Sequence, residues 1–386
     1  MDKQAIDALL GGAVAAGAAP GVVALAANRD GTIYEGAFGH RAAGADAPMT
    51  LDTVLWIASM TKAVTSVAAL QLVEAGRLAL DAPIAEVLPE LGQMQVMEGH
   101  DPDGTPRLRA ARGAITLKHL LTHTAGFAYD IWNPDLGHYM EANGIPGIIS
   151  CMDAALRLPL IFDPGARWEY GINIDHVGKA VERASGRRLG DYFRENITGP
   201  LGMDDTAFRI TPAMRARKAP IHVHNPDGGG LVATDIEITQ EPEFEMGGGG
   251  LYSTLPDYLR FARMLLSGGT LDGARILSPE MTAAALRNQT APVSVGMLRT
   301  AMPPYSADAE FFPGLKKSWG LVGMVNDEQA PTGRSPGAIA WAGLANTFWW
   351  VDAPRGLCAV IGTQVLPFGD PPIIDMLERY ETALVN

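Results

Sequence analysis

Ser59 and Lys62 stand three positions apart in Trp56-Ile-Ala-Ser59-Met-Thr-Lys62, and the chain holds no other Ser-x-x-Lys pair. On a helix, residues three apart share a face, so the two side chains can meet. A serine hydroxyl is a weak nucleophile until a neighbour takes its proton, and a neutral amine can do that. Burial and the positive end of a helix dipole both disfavour the ammonium form. The first amides of a helix have no internal partner, so the Ser59 N–H can also serve an oxyanion. The plainer alternative is a serine N-cap followed by a lysine in solvent.

Three other patterns compete for chemistry. Gly333-Arg-Ser335-Pro-Gly337 matches the G-x-S-x-G elbow, but the elbow uses the amide after the serine, and Pro336 has none. His119 and His123 are spaced like two metal ligands on a helix, yet no glutamate follows His119 and no third ligand is evident. A structural role is expected for both. The run Gly247–Gly250 lacks the Lys-Ser/Thr of a phosphate loop, so close backbone packing explains it better. No metal and no organic cofactor is expected.

The 386 residues are 47% apolar and 19% charged, which suits one large domain or two interleaved ones. A net charge of −13 argues against nucleic acid or an anionic membrane surface as partner. No apolar run reaches the length of a spanning helix. Asp2 and Asp7 interrupt what could be mistaken for a signal peptide, so a mature cytoplasmic protein is expected. Cys151 and Cys358 could pair, but two free thiols fit that compartment better.

The pattern predicts a helix over 2–16, strands over 21–27 and 32–39 joined by Asn28-Arg-Asp-Gly31, and the buried helix that carries Ser59. Leu80–Leu91 reads as a short helix between prolines and Glu98–Arg112 as a loop. Thr116 looks like an N-cap and Gly126 like a stop. The middle of the chain, to about Arg217, is mostly helical in pattern, including a helix over 174–185 entered from Tyr170-Gly-Ile-Asn173. Pro212–Glu243 and Ser294–Gly314 read as irregular, with a helix over 256–266 between them. Strands over 318–326, 337–344, 347–351 and 358–364 and a helix over 372–384 close the chain.

Ser59-Met-Thr-Lys62, His123-Thr-Ala-Gly126, Glu169-Tyr170-Gly-Ile-Asn173, Gly249-Gly-Leu-Tyr-Ser253 and Trp341-Ala342-Gly343 follow one another in an order that resembles the serine β-lactamase-like superfamily. Within it they look most like the family VIII carboxylesterases, relatives of class C β-lactamases and D-Ala-D-Ala peptidases. The resemblance implies an α+β fold. An antiparallel sheet flanked by helices would come from residues 1–80 and 241–386, and a mainly helical domain from 81–240, with the active site in the cleft between.

It also implies roles. Ser59 would be the acylated nucleophile and Lys62 its base. Tyr170, its phenol lowered by Lys62, would relay a proton to the leaving alkoxide and help activate the deacylating water. The amides of Ser59 and Leu344 would form the oxyanion hole. Trp341, Ala342, Gly343, Phe127 and Asn173 would touch substrate, Asn173 with less support because Ile172 occupies the place of the lactamases' polar residue. Trp341 replaces the cation of their Lys/His-Thr/Ser-Gly motif, as a similar motif does in the family VIII esterases. The resemblance therefore implies a serine carboxylesterase acting on small or short-acyl esters, and it allows weak β-lactam hydrolysis as a side activity. The alternatives are a β-lactamase or peptidase, an acyltransferase of the same fold, and a catalytically inactive binding protein.

Overall fold

The computed structural model describes residues 1–385. Its frame is a seven-stranded antiparallel sheet drawn from both ends of the chain. Strands β1 (Gly21–Asn28) and β2 (Thr32–Gly39) form a hairpin. The C-terminal part supplies β3 (Lys317–Trp319), β4 (Met324–Asn326), β5 (Ile339–Gly343), β6 (Thr347–Asp352) and β7 (Leu357–Gly362). The order across the sheet is β3-β4-β5-β6-β7-β1-β2, so the chain's two ends meet where β7 pairs with β1, with Leu25 opposite Val360.

Both faces of this sheet are covered, and side-chain parity along the strands divides the core in two. Five helices complete the frame: α1 (Lys3–Ala15), α2 (Thr61–Glu74), α3 (Asn173–Ser185), α4 (Leu255–Leu266) and α5 (Pro371–Val385). Val22, Ala24, Phe348 and Trp350 pack with Ile6 and Leu10 of α1 and Met376 and Tyr380 of α5. Their neighbours Val23, Leu25, Trp349 and Val351 face the other way, into the larger core with α2, α4 and the middle of the chain. Helix α2 is buried nearly all round, from Thr61 to Leu70, as expected of a central helix with no polar face.

Several elements differ from the sequence reading. Leu80–Leu91 forms two 3-10 turns, Ile84–Glu86 and Pro89–Leu91, because Pro83 and Pro89 break any longer helix. Glu98–Arg112 is no simple loop. Gln95–His100 pairs with Pro106–Ala110, and Arg109 ties the hairpin down through Glu98 and Asp163. The span 318–326 is a tight hairpin, β3 and β4, turned at Gly320–Gly323. In the middle, helices are shorter than the pattern suggests, and 3-10 turns take much of the space. Cys151 and Cys358 are buried free thiols. Among the described residues no helix is long and apolar enough to cross a membrane.

Candidate active site

Ser59 lies in a 3-10 turn, Ala58–Met60, between a two-residue strand at Leu55–Trp56 and the start of α2. The turn is strained and heavily tied. Ala58 is left-handed at φ 44°, a conformation a non-glycine residue holds only when its surroundings impose it. Gln364 clamps the Trp56 backbone through both amide atoms, and the Trp56 indole donates to the Gly249 carbonyl at 2.7 Å. The Thr61 hydroxyl donates to the Ala58 carbonyl at 2.6 Å and accepts the Leu251 amide. Tyr258 on α4 donates to the Met60 carbonyl. Ser59 is thus aimed by groups from four separate stretches of chain.

Lys62 is 2% exposed, so the solvent-facing alternative fails. Its Nζ reaches Ser59 Oγ at 3.1 Å, the Tyr129 hydroxyl at 3.0 Å and the Gly248 carbonyl at 2.5 Å. Burial pushes the Lys62 ammonium down to about 7, against an upward pull from the Asp175 carboxylate. An amine in that range is partly neutral at ordinary pH and can act as a base.

Tyr170 enters from the turn before α3. Gly171 has no room for a Cβ against the Ala128 backbone, and this close approach sets Tyr170 beside Tyr129, ring centroids 5.3 Å apart. The Trp341 indole on β5 donates to the Tyr170 hydroxyl at 2.9 Å. Burial raises the phenol above its ordinary value, while hydrogen bonding to Ser59 and Trp341 works the other way. The expectation that Lys62 lowers this phenol is corrected: Nζ sits 4.7 Å from the ring centroid, over the face, and makes its phenolic hydrogen bond to Tyr129 instead. Tyr129 is the group that sequence reasoning missed. Its signal was faint, a tyrosine two residues past Phe127 in a segment already flagged by His123 and Gly126.

The glycine run explains the back of the site. The Gly248 amide donates to Asp175 Oδ1 at 2.8 Å, and a Cβ at Gly248 would lie 2.5 Å from Asp175 Oδ2. Gly343 likewise has no space for a Cβ against the Ile57 carbonyl and Thr347, so the end of β5 presses on the turn before Ser59. The next residue, Leu344, lines the cleft with Ser59, and among the described residues its amide has no backbone acceptor.

Two cavities meet at Ser59. One, of about 550 Å³, is walled by Trp56, Trp132, Ile148, Met246, Met302 and Leu344 among others. The second is a crevice of about 10 Å³ between Trp341, Ala342, Gly343, Leu298 and Phe368. Phe127 and Asn173 reach neither. Phe127 is fully buried and stacks on His176, and the Asn173 amide donates to the Phe127 carbonyl and meets His123 Nδ1 at 3.0 Å. Both support the wall behind Tyr170, since burial leaves them no surface for a substrate.

His123 packs edge-on to Trp319 and against Tyr170, and His119 closes a capping box with Thr116. Among the described residues no group of three or more His, Cys, Asp or Glu has metal-site geometry. Ser335 lies away from the cleft, its amide held by Asp352 and the preceding Arg334 paired with Glu381 of α5.

The β-lactamase family model matches residues 6–380. The chain belongs to the β-lactamase family. Within this family it is 33% identical over 380 residues to monacolin J acid methylbutanoyltransferase of Aspergillus terreus, covering 95% of this chain and 91% of that one. It is 30% identical over 393 residues to lovastatin esterase of Penicillium rubens, covering 97% and 96%. The unliganded simvastatin synthase of Aspergillus terreus superposes with a TM-score of 0.86 at 31% identity, over 100% of this chain and 98% of that one. Within this family's fold the chain carries its serine–lysine pair at the head of a buried helix, and the two relatives above are named an acyltransferase and an esterase. The fold is the α+β arrangement that the motif order implied.

Proposed function

We propose that this protein moves a short acyl group between an ester and a bulky, largely apolar alcohol, through an acyl-Ser59 intermediate. The observation that carries the reading is the asymmetry at Ser59: a cleft of about 550 Å³ on one side and a crevice of about 10 Å³ on the other. A cleft of that volume matches a ligand of drug size. The crevice leaves space for only a small acyl chain without rearrangement of Trp341 or Leu298. The relatives named monacolin J acid methylbutanoyltransferase and lovastatin esterase pair an acyl transfer with an ester cleavage, which supports both branches of such a reaction here.

The chemistry follows from the contacts. Ser59 Oγ adds to the ester carbonyl while neutral Lys62 takes its proton. The amides of Ser59 and Leu344 hold the oxyanion. The buried Tyr170 phenol, kept protonated by its surroundings, gives its proton to the leaving alkoxide as the carbon–oxygen bond breaks, leaving a phenolate beside the Lys62 ammonium until the acceptor hydroxyl returns a proton to Tyr170 and Lys62 returns its own to Ser59. The acyl-enzyme then passes its acyl group to an acceptor hydroxyl by the reverse sequence, with water as the competing acceptor. An acceptor alcohol that fills the apolar cleft excludes water from the ester bond, so transfer should outrun hydrolysis when such an alcohol is present. A family VIII type carboxylesterase activity is the water branch of this same cycle. The cavity wall supplies no lysine, arginine or histidine, which disfavours β-lactams that carry a carboxylate.

The test uses p-nitrophenyl acetate or butyrate with and without a polycyclic secondary alcohol. Mass spectrometry should find the acyl group on Ser59, and the alcohol should raise p-nitrophenol release while its own ester accumulates. Label on another residue, or an acceptor that never becomes esterified, would overturn the proposal.

A further inference from the structure

Asp175 lies on α3 with no exposed surface, and it is outside the cleft. A carboxylate in such a place needs compensation. Its Oδ1 accepts the Gly248 amide at 2.8 Å, but among the described residues Oδ2 has no hydrogen-bond partner. The carbonyl of the same Gly248 accepts from Lys62 Nζ at 2.5 Å. Only glycine fits here, because a Cβ at position 248 would collide with the carboxylate. One residue of backbone therefore lies between the buried acid and the buried base.

We propose that Asp175 is a positioning residue which, through Gly248, holds Lys62 Nζ against Ser59 and provides the negative charge that favours the ammonium formed when Ser59 is acylated. This assignment rests on the acyl-Ser59 reading given above.

The groups that face Lys62 are few. From its own stretch comes the Ser59 hydroxyl. Tyr129 contributes a hydroxyl and Tyr170 a ring face. His123 lies behind them, and Asp175 comes from α3. Burial keeps both phenols protonated, and burial together with the Lys62 charge keeps His123 neutral. Asp175 is then the one anion of the set. Burial raises its carboxyl above the ordinary value, and Lys62 and the Gly248 amide oppose that rise. The pair is reciprocal: the carboxylate holds the ammonium up, and the ammonium holds the carboxyl down.

The decisive readout is the acid limb of kcat/KM, which reports the free enzyme's base. Asp175→Asn keeps an acceptor for the Gly248 amide and deletes the charge. Lys62 then loses its proton more readily, so the acid limb should move to lower pH by about one unit, the scale for a nearby charge. The plateau should fall by up to about tenfold, because an amine less basic by about one unit drives proton transfer less well. A residue that merely fills space would lower the plateau and leave the limb in place.

The experiment compares wild type, Asp175→Asn and Asp175→Ser with p-nitrophenyl acetate from about pH 5 to pH 10, with melting temperatures taken in parallel. A limb that stays put or moves up in a folded variant overturns the proposal, as does unfolding of both variants at neutral pH. If wild type itself fails to acylate Ser59, the proposed function falls. If wild type acylates and the limb is unmoved, only the role of Asp175 falls.

Discussion

The two walls of the cleft are built on different principles. On one side stand Ser59, Lys62, Tyr129 and Tyr170, each tied by hydrogen bonds or stacked rings to groups that are themselves buried. On the other stand Ile149 and Met302, which are 47% and 37% exposed and lie at the mouth of the large cavity. The first wall is dense with polar atoms whose partners are fixed, so a small change there is felt by the reaction. The second offers mainly apolar contact, with Ser150 and Tyr305 beside these two residues, so change there should alter which molecule is held. Reaction and selectivity are thus separable, and four predictions follow that contrast from the largest effect to the smallest.

Ser59→Ala removes the proposed nucleophile and should lower kcat roughly 10^5-fold, with no acyl adduct, since parts of one catalytic unit fail together. Measured p-nitrophenyl acetate turnover above a hundredth of wild type would place the nucleophile elsewhere.

Next come the two phenols, which distinguish proton delivery from lysine positioning. Tyr170→Phe removes the proposed proton donor to the alkoxide and should cost about 10^2- to 10^4-fold in kcat, the range for a general acid. Tyr129→Phe removes one acceptor from Lys62 but no group that meets substrate oxygen, so about a tenfold loss is expected. Equal losses in single-turnover measurements would erase the distinction drawn here.

The pH profile ranks third. Lys62 must be neutral to accept a proton, and burial has brought its ammonium down to about 7. Activity should therefore be low in acid, rise through neutrality and level off above it. Tyr170 must keep its proton, and burial has raised its phenol, so no alkaline fall should appear within the ordinary tyrosine range. An acid limb at the ordinary lysine value would show that burial does not lower the Lys62 ammonium, and a limb unaltered in Lys62→Arg would show that Lys62 is not the base.

How much of this could be read from the chain itself is clear from particular residues. The strand hairpin at 21–39 and the buried helix after Ser59 declare themselves by local periodicity, because alternation and apolar content are properties of neighbouring residues. Ser59 and Lys62 are one turn apart, so their meeting is local too. Trp341 was legible as a motif position but not as a hydrogen-bond donor to Tyr170, since 171 residues separate the two. Asp175 and Gly248 were invisible for the same reason: a glycine run says that backbone comes close to something, never to what. Asn173 and Phe127 were misplaced because motif proximity does not reveal which face of a wall a side chain takes. The hairpin at 95–110 was missed because Gly, Pro and Arg favour a loop reading, whereas the Arg109 ion pairs that stabilise it join distant parts of the chain.

The smallest effect expected is the one that probes the apolar wall. Ile149 and Met302 both line the large cavity and both present surface to solvent. Replacing them by serine removes apolar area from the binding surface without touching any atom of the Ser59–Lys62–Tyr170 group. If each side chain contributes on the order of 30 Å² of contact to a bulky acceptor, each loss is worth about 0.7 kcal/mol at the usual value per unit area. The double variant Ile149→Ser/Met302→Ser should then raise KM for a polycyclic alcohol roughly tenfold or somewhat more. With p-nitrophenyl acetate, which is too small to span the cavity, kcat and KM should change less than about twofold, because most surface substitutions perturb stability and local structure little. The comparison between the two substrates is the measurement that matters. A parallel loss on both would mean that the exposed wall also shapes the reacting geometry, and the separation between the two walls would have to be abandoned.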